Sequence, residues 1–185
     1  MNKVTFITGN KYKADSFRKA LSKYPVDIEI EKIETPEIQE TDVVKVAEYS
    51  AKYAAEKLNK PIVVTDAGIY IKSLNDFPGS FQKFMNKWFT PTQILQLLDG
   101  VIDRSAIAVE CLSYCEPDKK PVSFLSEASC RIALKAEGNG STIDQIIIWP
   151  DMDKVQGLVD DDVMTDYWAK QNTTYKEFGE YLLTK

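Results

Sequence analysis

The sequence predicts an α/β fold: a mixed twisted sheet flanked by helices, arranged as two lobes around a central cleft. Three observations lead there. Short apolar runs alternate with helical stretches through the first third of the chain, longer extended segments broken by turn residues follow the middle, and a helical pattern returns at the end. A length of 185 residues is that of one folding domain, so residues 1-185 are expected to form a single unit.

Val4 to Thr8 reads as a short buried strand, which Thr8, Gly9 and Asn10 break before a helix with Ala14, Phe17, Ala20 and Leu21 on one face. Ile28 and Ile30 alternate with acidic residues as a second strand that ends by Pro36. The acidic stretch Glu37 to Asp42 is a loop or a helix entry. Val43, Val44, Ala47, Ala51, Ala54, Ala55 and Leu58 then recur at helical spacing, predicting an amphipathic helix over 42 to 58 that Pro61 stops. Ile62 to Val64 is a buried strand running into Thr65 and Asp66, and Ile69 to Ile71 continue extended after Gly68.

Turn chemistry at Asn75 to Gly79 leads to two short helices, Ser80 to Trp88 and Pro91 to Leu98, the second with Thr90 as cap and Pro91 in its first position. From Ser105 to Lys135 the pattern is extended, with a turn from Glu116 to Pro121 that predicts an antiparallel hairpin. Gly138 to Gly140 is another turn and Gln145 to Trp149 another strand. One final helix is expected from Thr165 to Leu183, although Asn172 to Thr174 is weak helix material at its centre.

Composition narrows the chemistry. A net charge of -5 offers no global field for a polyanionic duplex or an anionic membrane surface, so extended nucleic acid and membrane are not expected partners. Any phosphate site must be local, built from a few lysines, backbone N–H groups and a cation. Three cysteines without metal-knuckle spacing fit a reducing cytoplasm, and neither a signal region nor a membrane-length apolar run is present. The chain has no histidine, which removes the usual general base and the commonest zinc ligand. Chemistry must therefore run on carboxylates, whose hard oxygens suit Mg²⁺ or Mn²⁺.

Three segments could carry that chemistry. Thr8, Gly9 and Asn10 with Lys13 form a turn and helix start able to grip phosphate oxygens, or an ordinary turn before a solvated lysine. Asp66, at the end of an apolar strand, could hold a metal or activate water, and Glu37 beside Pro36 could join it; either acid could equally be a turn residue. Phe77 to Lys83 sets a rigid turn ahead of a helix carrying Lys83, which would reach the middle phosphates or serve as a surface lysine.

The order of these segments resembles the inosine triphosphate pyrophosphatase family, enzymes that remove deaminated purine triphosphates such as ITP, dITP and XTP. Thr8, Gly9, Asn10 and Lys13 match its T-G-N-x-x-K, and Pro36, Glu37 and Gln39 match its P-E-x-Q. Thr65-Asp66 followed by Ala67-Gly68-Ile69 matches its acidic doublet and S/T-G-L with only the second acid kept. Leu74, Phe77, Pro78, Gly79, Phe81 and Lys83 match its L-x-G-x-P-G-x-Y-x-K. Four ordered motifs over about half the chain make the likeness specific.

Departures gather where the base would lie. Ser50 takes the place of a phosphate-contacting lysine, with Lys52 on another helix face. The base-stacking signature becomes Ser141-Thr142-Ile143-Asp144-Gln145, keeping only the aspartate, and the terminal base-reading segment becomes Lys170 to Lys176, with Tyr175 and Lys176 in place of histidine and arginine. A lost stacking aromatic removes about 1 to 3 kcal/mol of base affinity. Another base is then preferred, or Tyr175 and Trp149 compensate, or nucleotides bind loosely.

The resemblance implies a nucleoside triphosphate pyrophosphatase that converts an NTP or dNTP to the monophosphate and pyrophosphate, and a homodimer. Glu37 and Asp66 would hold Mg²⁺, and Asp66 would also orient or deprotonate water. Thr8, Gly9, Asn10, Lys13, Ala67, Lys83, Asp144, Lys170, Tyr175 and Lys176 would contact substrate. The competing expectation is a non-catalytic nucleotide-binding protein on the same fold.

Overall fold

The computed structural model describes residues 2 to 36 and 38 to 185. Alternating strands and helices open the chain: β1 (Asn2–Ile7), α1 (Lys11–Leu21), β2 (Val26–Glu31), α2 (Val43–Leu58) and β3 (Ile62–Ile71). The middle holds β4 (Pro78–Gly79), α3 (Gln82–Trp88) and α4 (Pro91–Leu97). The hairpin strands β5 (Ser105–Cys115) and β6 (Val122–Ile132), the short β7 (Ile147–Ile148), α5 (Asp161–Gln171) and α6 (Thr173–Leu183) complete it. Among the described residues one mixed sheet runs in the order β2-β1-β3-β5-β6-β7, with β4 paired to β3. β1 lies parallel to β2 and β3, whereas β3 with β4 and β6 with β7 are antiparallel. The mixed sheet flanked by helices is the fold the sequence predicts.

The chain divides into two compact units, and β3, β5 and β6 each pass from one to the other. Unit 1 comprises residues 1 to 66, 110 to 126 and 161 to 185; unit 2 comprises 67 to 109 and 127 to 160.

Strand alternation builds the core of unit 1. Val4 and Phe6 of β1 and Val63 of β3 share one face with Phe17 and Leu21 of α1 and Tyr175, Phe178 and Leu182 of α6. Their neighbours Ile7, Ile62 and Val64 pack instead with Ala51, Ala54 and Ala55 of α2. Alanines at helical spacing suit that helix, since they lose no side-chain entropy and let its backbone approach the sheet. Asp42 caps it through Val44 N at 2.9 Å, and Asn59, at φ 51°, ends it before Pro61. Ser50 falls on the buried face and Lys52 outside beside Glu56.

In unit 2, Ile69, Ile71, Met85, Ile94, Leu98, Ile132 and Ile146 are buried. Thr90 caps α4 with Pro91 at its start, as the sequence predicts, and Gln93 completes a capping box. Gly68 is required where β4 pairs with β3: a methyl group there would sit 2.6 Å from the carbonyl oxygen of Gly79.

Three expectations need correction. The single helix from 165 to 183 is two helices, because Asn172 turns extended and its Oδ1 accepts from Thr174 N at 3.1 Å, starting α6 afresh. α5 begins earlier, at Asp161, where two aspartates complement the helix dipole. The strand expected at Gln145 to Trp149 shrinks to Ile147–Ile148, since residues up to Ile146 are tied into turns.

Candidate active site

The first motif of unit 1 folds as a helix entry. Thr8 Oγ1 accepts from Asn10 N at 3.0 Å, and Asn10 Oδ1 accepts from Lys13 N at 3.3 Å, so both side chains fix the start of α1. Gly9 leaves room for the Lys32 side chain, 3.2 Å from where a methyl group would stand. The Lys13 side chain then crosses to β3, where Nζ donates to Thr65 Oγ1 at 3.0 Å.

Asp66 follows Thr65, but not at a strand terminus as expected: β3 continues through it to Ile71. What ends is β1. The last β1–β3 partners are Phe6 and Val63, so Asp66 lies beyond the C-terminal end of the neighbouring parallel strand, where ligands sit in open α/β sheets. Asp66 is half-buried, and its Oδ2 atom is shielded from solvent. The Cys111 thiol on β5 is pushed up to about 12, chiefly by burial and further by the charges of Glu48, Asp66 and Asp42.

The hard carboxylate oxygens of Asp66 are of the type that suits Mg²⁺, which is commonly held by one or two carboxylates together with water and substrate phosphates rather than by a protein cage. Among the described residues no group of three or more acidic, cysteine or histidine side chains forms such a cage. Glu37, the other expected ligand, lies outside the described residues.

Sequence reasoning missed Glu110. This half-buried carboxylate on β5 accepts from Asn172 Nδ2 at 2.7 Å through Oε1, hydrogen-bonds the Tyr175 hydroxyl, and lies 3.8 Å from Lys13 Nζ through Oε2. An acid inside an otherwise apolar strand was the available signal. Asn172 was missed too, as both cap of α6 and donor to Glu110.

Tyr175, expected to contact substrate, is only 2% exposed, and its ring meets Phe17 edge-on at 5.3 Å inside the core. Burial, followed by the Glu110 charge, pushes its hydroxyl well above the usual tyrosine range. Trp149 is buried as well, with Nε1 donating to Gln156 Oε1 at 2.7 Å, which removes it as a stacking substitute. Lys170 is exposed on α5, and Lys176 is exposed on α6 with Nζ 3.8 Å from Glu180. Among the described residues neither pairs with Lys13, Thr65 or Glu110.

In unit 2, Ala67 is half-buried on β3 and Lys83 is exposed in the first turn of α3. Asp144 holds its own loop together: Oδ2 accepts from Ser141 N at 2.8 Å and Oγ at 2.7 Å, and Oδ1 accepts from Gln156 Nε2 at 2.8 Å. Its carboxylate thus serves loop architecture, a role the sequence did not indicate.

Comparison with known proteins places these features in a lineage. The model of the Ham1 family matches residues 4–163. The dITP/XTP pyrophosphatase of Methanosarcina acetivorans is 36% identical over 140 residues, 76% of each chain, and that of Methanothermobacter marburgensis is 30% identical over 180 residues, 97% of this chain and 95% of the other. A HAM1 protein from Coxiella burnetii superposes with a TM-score of 0.78 at 21% identity over 100% of both chains. A nucleoside-triphosphatase / dITP/XTP pyrophosphatase from Mycobacterium abscessus gives 0.70 at 17% identity over 95% of this chain and 97% of its own. These structures share the fold, and the sequence matches settle the lineage: the chain belongs to the Ham1 family.

Proposed function

We propose that the protein hydrolyses the α–β anhydride of non-standard purine nucleoside triphosphates, of the dITP and XTP class, to a monophosphate and pyrophosphate. The observation that carries this reading is the Lys13 ammonium 3.0 Å from Thr65 Oγ1, one residue from Asp66, in a chain whose relatives over three quarters of its length are dITP/XTP pyrophosphatases. A phosphate-seeking cation thus reaches the residue before Asp66, just beyond the C-terminal end of the parallel strand β1, the edge at which open α/β sheets bind ligands, while strand alternation turns the Asp66 side chain to the other face.

In this reading Glu37 and Asp66 hold Mg²⁺, which when bound neutralises phosphate charge and makes water a better nucleophile. Asp66 orients the attacking water and takes its proton, while Lys13, with Lys83 and Lys170, balances the charge that builds on the leaving pyrophosphate. Thr8, Gly9 and Asn10 offer the start of α1 to phosphate oxygens. Ala67, following Asp66 on β3, offers backbone to the same phosphate chain. Asp144 acts on the base by shaping the loop from Ser141 to Gln156, and Lys176 lies on the helix that would read the base edge. No helix among the described residues is long and apolar enough to cross a membrane. A cytoplasmic homodimer is the assembly that the family resemblance favours.

The test is a panel of ITP, XTP, dITP and the standard triphosphates with Mg²⁺, pyrophosphate and orthophosphate being assayed separately, with EDTA and Asp66→Asn controls. Pyrophosphate release from the deaminated purines, lost with EDTA and reduced at least about a thousandfold in Asp66→Asn, is expected. Orthophosphate as the first product, or full turnover by Asp66→Asn, contradicts the assignment.

A further inference from the structure

Glu110 has no part in that mechanism, yet it touches its central lysine. Its carboxylate is anchored from two sides by groups that cannot easily withdraw: Asn172 is 5% exposed and Tyr175 2%. Lys13 is anchored too, by Thr65 Oγ1 at 3.0 Å. The two charges face each other at 3.8 Å, with side chains 20% and 27% exposed, so water screens them only in part.

The two contacts of Lys13 differ in kind. The one to Thr65 is a formed hydrogen bond, whereas 3.8 Å to Glu110 is an ion pair without one. An ammonium has three donors, and a phosphate oxygen approaching this one displaces the looser partner first. Glu110 cannot follow the lysine, because Asn172 and Tyr175 hold it, nor can it accept the phosphate, because both are anions.

Resting on the reading of Lys13 as a phosphate ligand, we infer that Glu110 is the resident counter-anion of Lys13, a positioning residue that keeps the ammonium in place before substrate arrives and sets the affinity for polyphosphate by competing for it. Such a competitor lowers the affinity for every phosphate species, products included, and so limits product retention. Electrostatic preference for the more highly charged substrate is left to the remaining cations of the site.

The experiment is calorimetric titration of the full chain with the non-hydrolysable α,β-methylene analogue of ITP, in EDTA so that binding is independent of metal. Glu110→Gln keeps the shape and an acceptor for Asn172 but removes the charge, and its Kd is expected to tighten roughly 3- to 30-fold. In a Lys13→Met background most of that gain should vanish. A purely structural Glu110 would instead lower the melting temperature and leave Kd unchanged or weaker, and a gain of equal size without Lys13 would mark a general field effect; either outcome overturns the inference. Thr65→Val tests it from the other side: Lys13, left to Glu110 alone, should bind the analogue about 3-fold or more weakly, and unchanged or tighter binding contradicts the competition. A parent protein that binds no analogue overturns the nucleotide reading and this inference together, whereas a parent that binds while Glu110→Gln is unaltered overturns only the inference.

Discussion

Lys13 leaves the first turn of α1, where Asn10 caps its backbone N–H, and ends against Thr65, 52 residues away in sequence. Replacing it by Met keeps the aliphatic stem and the cap but removes the charge. The expected result is a kcat/KM for the triphosphate lowered about 10- to 100-fold with an unchanged melting temperature, the size of one charged phosphate contact. Steady-state kinetics beside a thermal melt checks this, and an unchanged kcat/KM contradicts it. Gly9, Asn10 and Lys13 were legible in the sequence because a turn and a cap are local events. Glu110 was not, because its partners come from α1, α6 and the residue between α5 and α6, and no local pattern announces their meeting. Tyr175 was assigned through the family resemblance to the base-reading segment, and its place among Phe6, Phe17 and Phe178 shows only once the chain is folded.

Among the elements, the break between α5 and α6 matters most to the site, since the residue that makes it also holds Glu110. Asn172 spends Oδ1 on Thr174 N and Oγ1 and Nδ2 on the Glu110 carboxylate, all in a nearly buried position. Asn172→Ala therefore loses a cap and strips a half-buried carboxylate of a donor, an expected loss of about 1 to 3 kcal/mol in urea unfolding. A change under about 0.5 kcal/mol would show that neither role stabilises the fold. The helix periods of α1 and α2, the Thr90–Pro91 start of α4 and the turn between β5 and β6 were readable because their signals are capping and hydrophobic spacing. Asn172 to Thr174 read as weak helix, which composition could show, but whether such a stretch bends or breaks depends on what the asparagine finds to bind. The strand at Ile147–Ile148 was overextended because apolar Ile146 packs in the core from a turn, and burial alone does not distinguish the two.

For the whole molecule, three buried acids predict an alkaline limit to stability. Burial pushes the Cys111 and Cys130 thiols from 9.0 to about 12 and the Tyr114 hydroxyl from 10.0 to about 12. Between pH 9 and 12 the unfolded chain loses protons that the folded chain keeps, so stability falls as pH rises through that window and these groups contribute no slope below it. Urea unfolding at pH 8, 9, 10 and 10.5 should give a declining free energy above pH 9; a rising one contradicts the burial of these groups. The order of motifs foretold the family and the α/β sheet because each motif is tied to one strand or helix end. Two lobes were expected, but not that the chain passes between its two units within β3, β5 and β6, since a strand shared by two units looks in sequence like any long strand.

The central claim is that water attacks the α-phosphorus under the direction of Asp66. Hydrolysis of the preferred triphosphate in ¹⁸O-labelled water, followed by mass spectrometry of both products, tests it most directly. The account predicts label in the nucleoside monophosphate and none in pyrophosphate, whereas label in pyrophosphate or in released orthophosphate would contradict it.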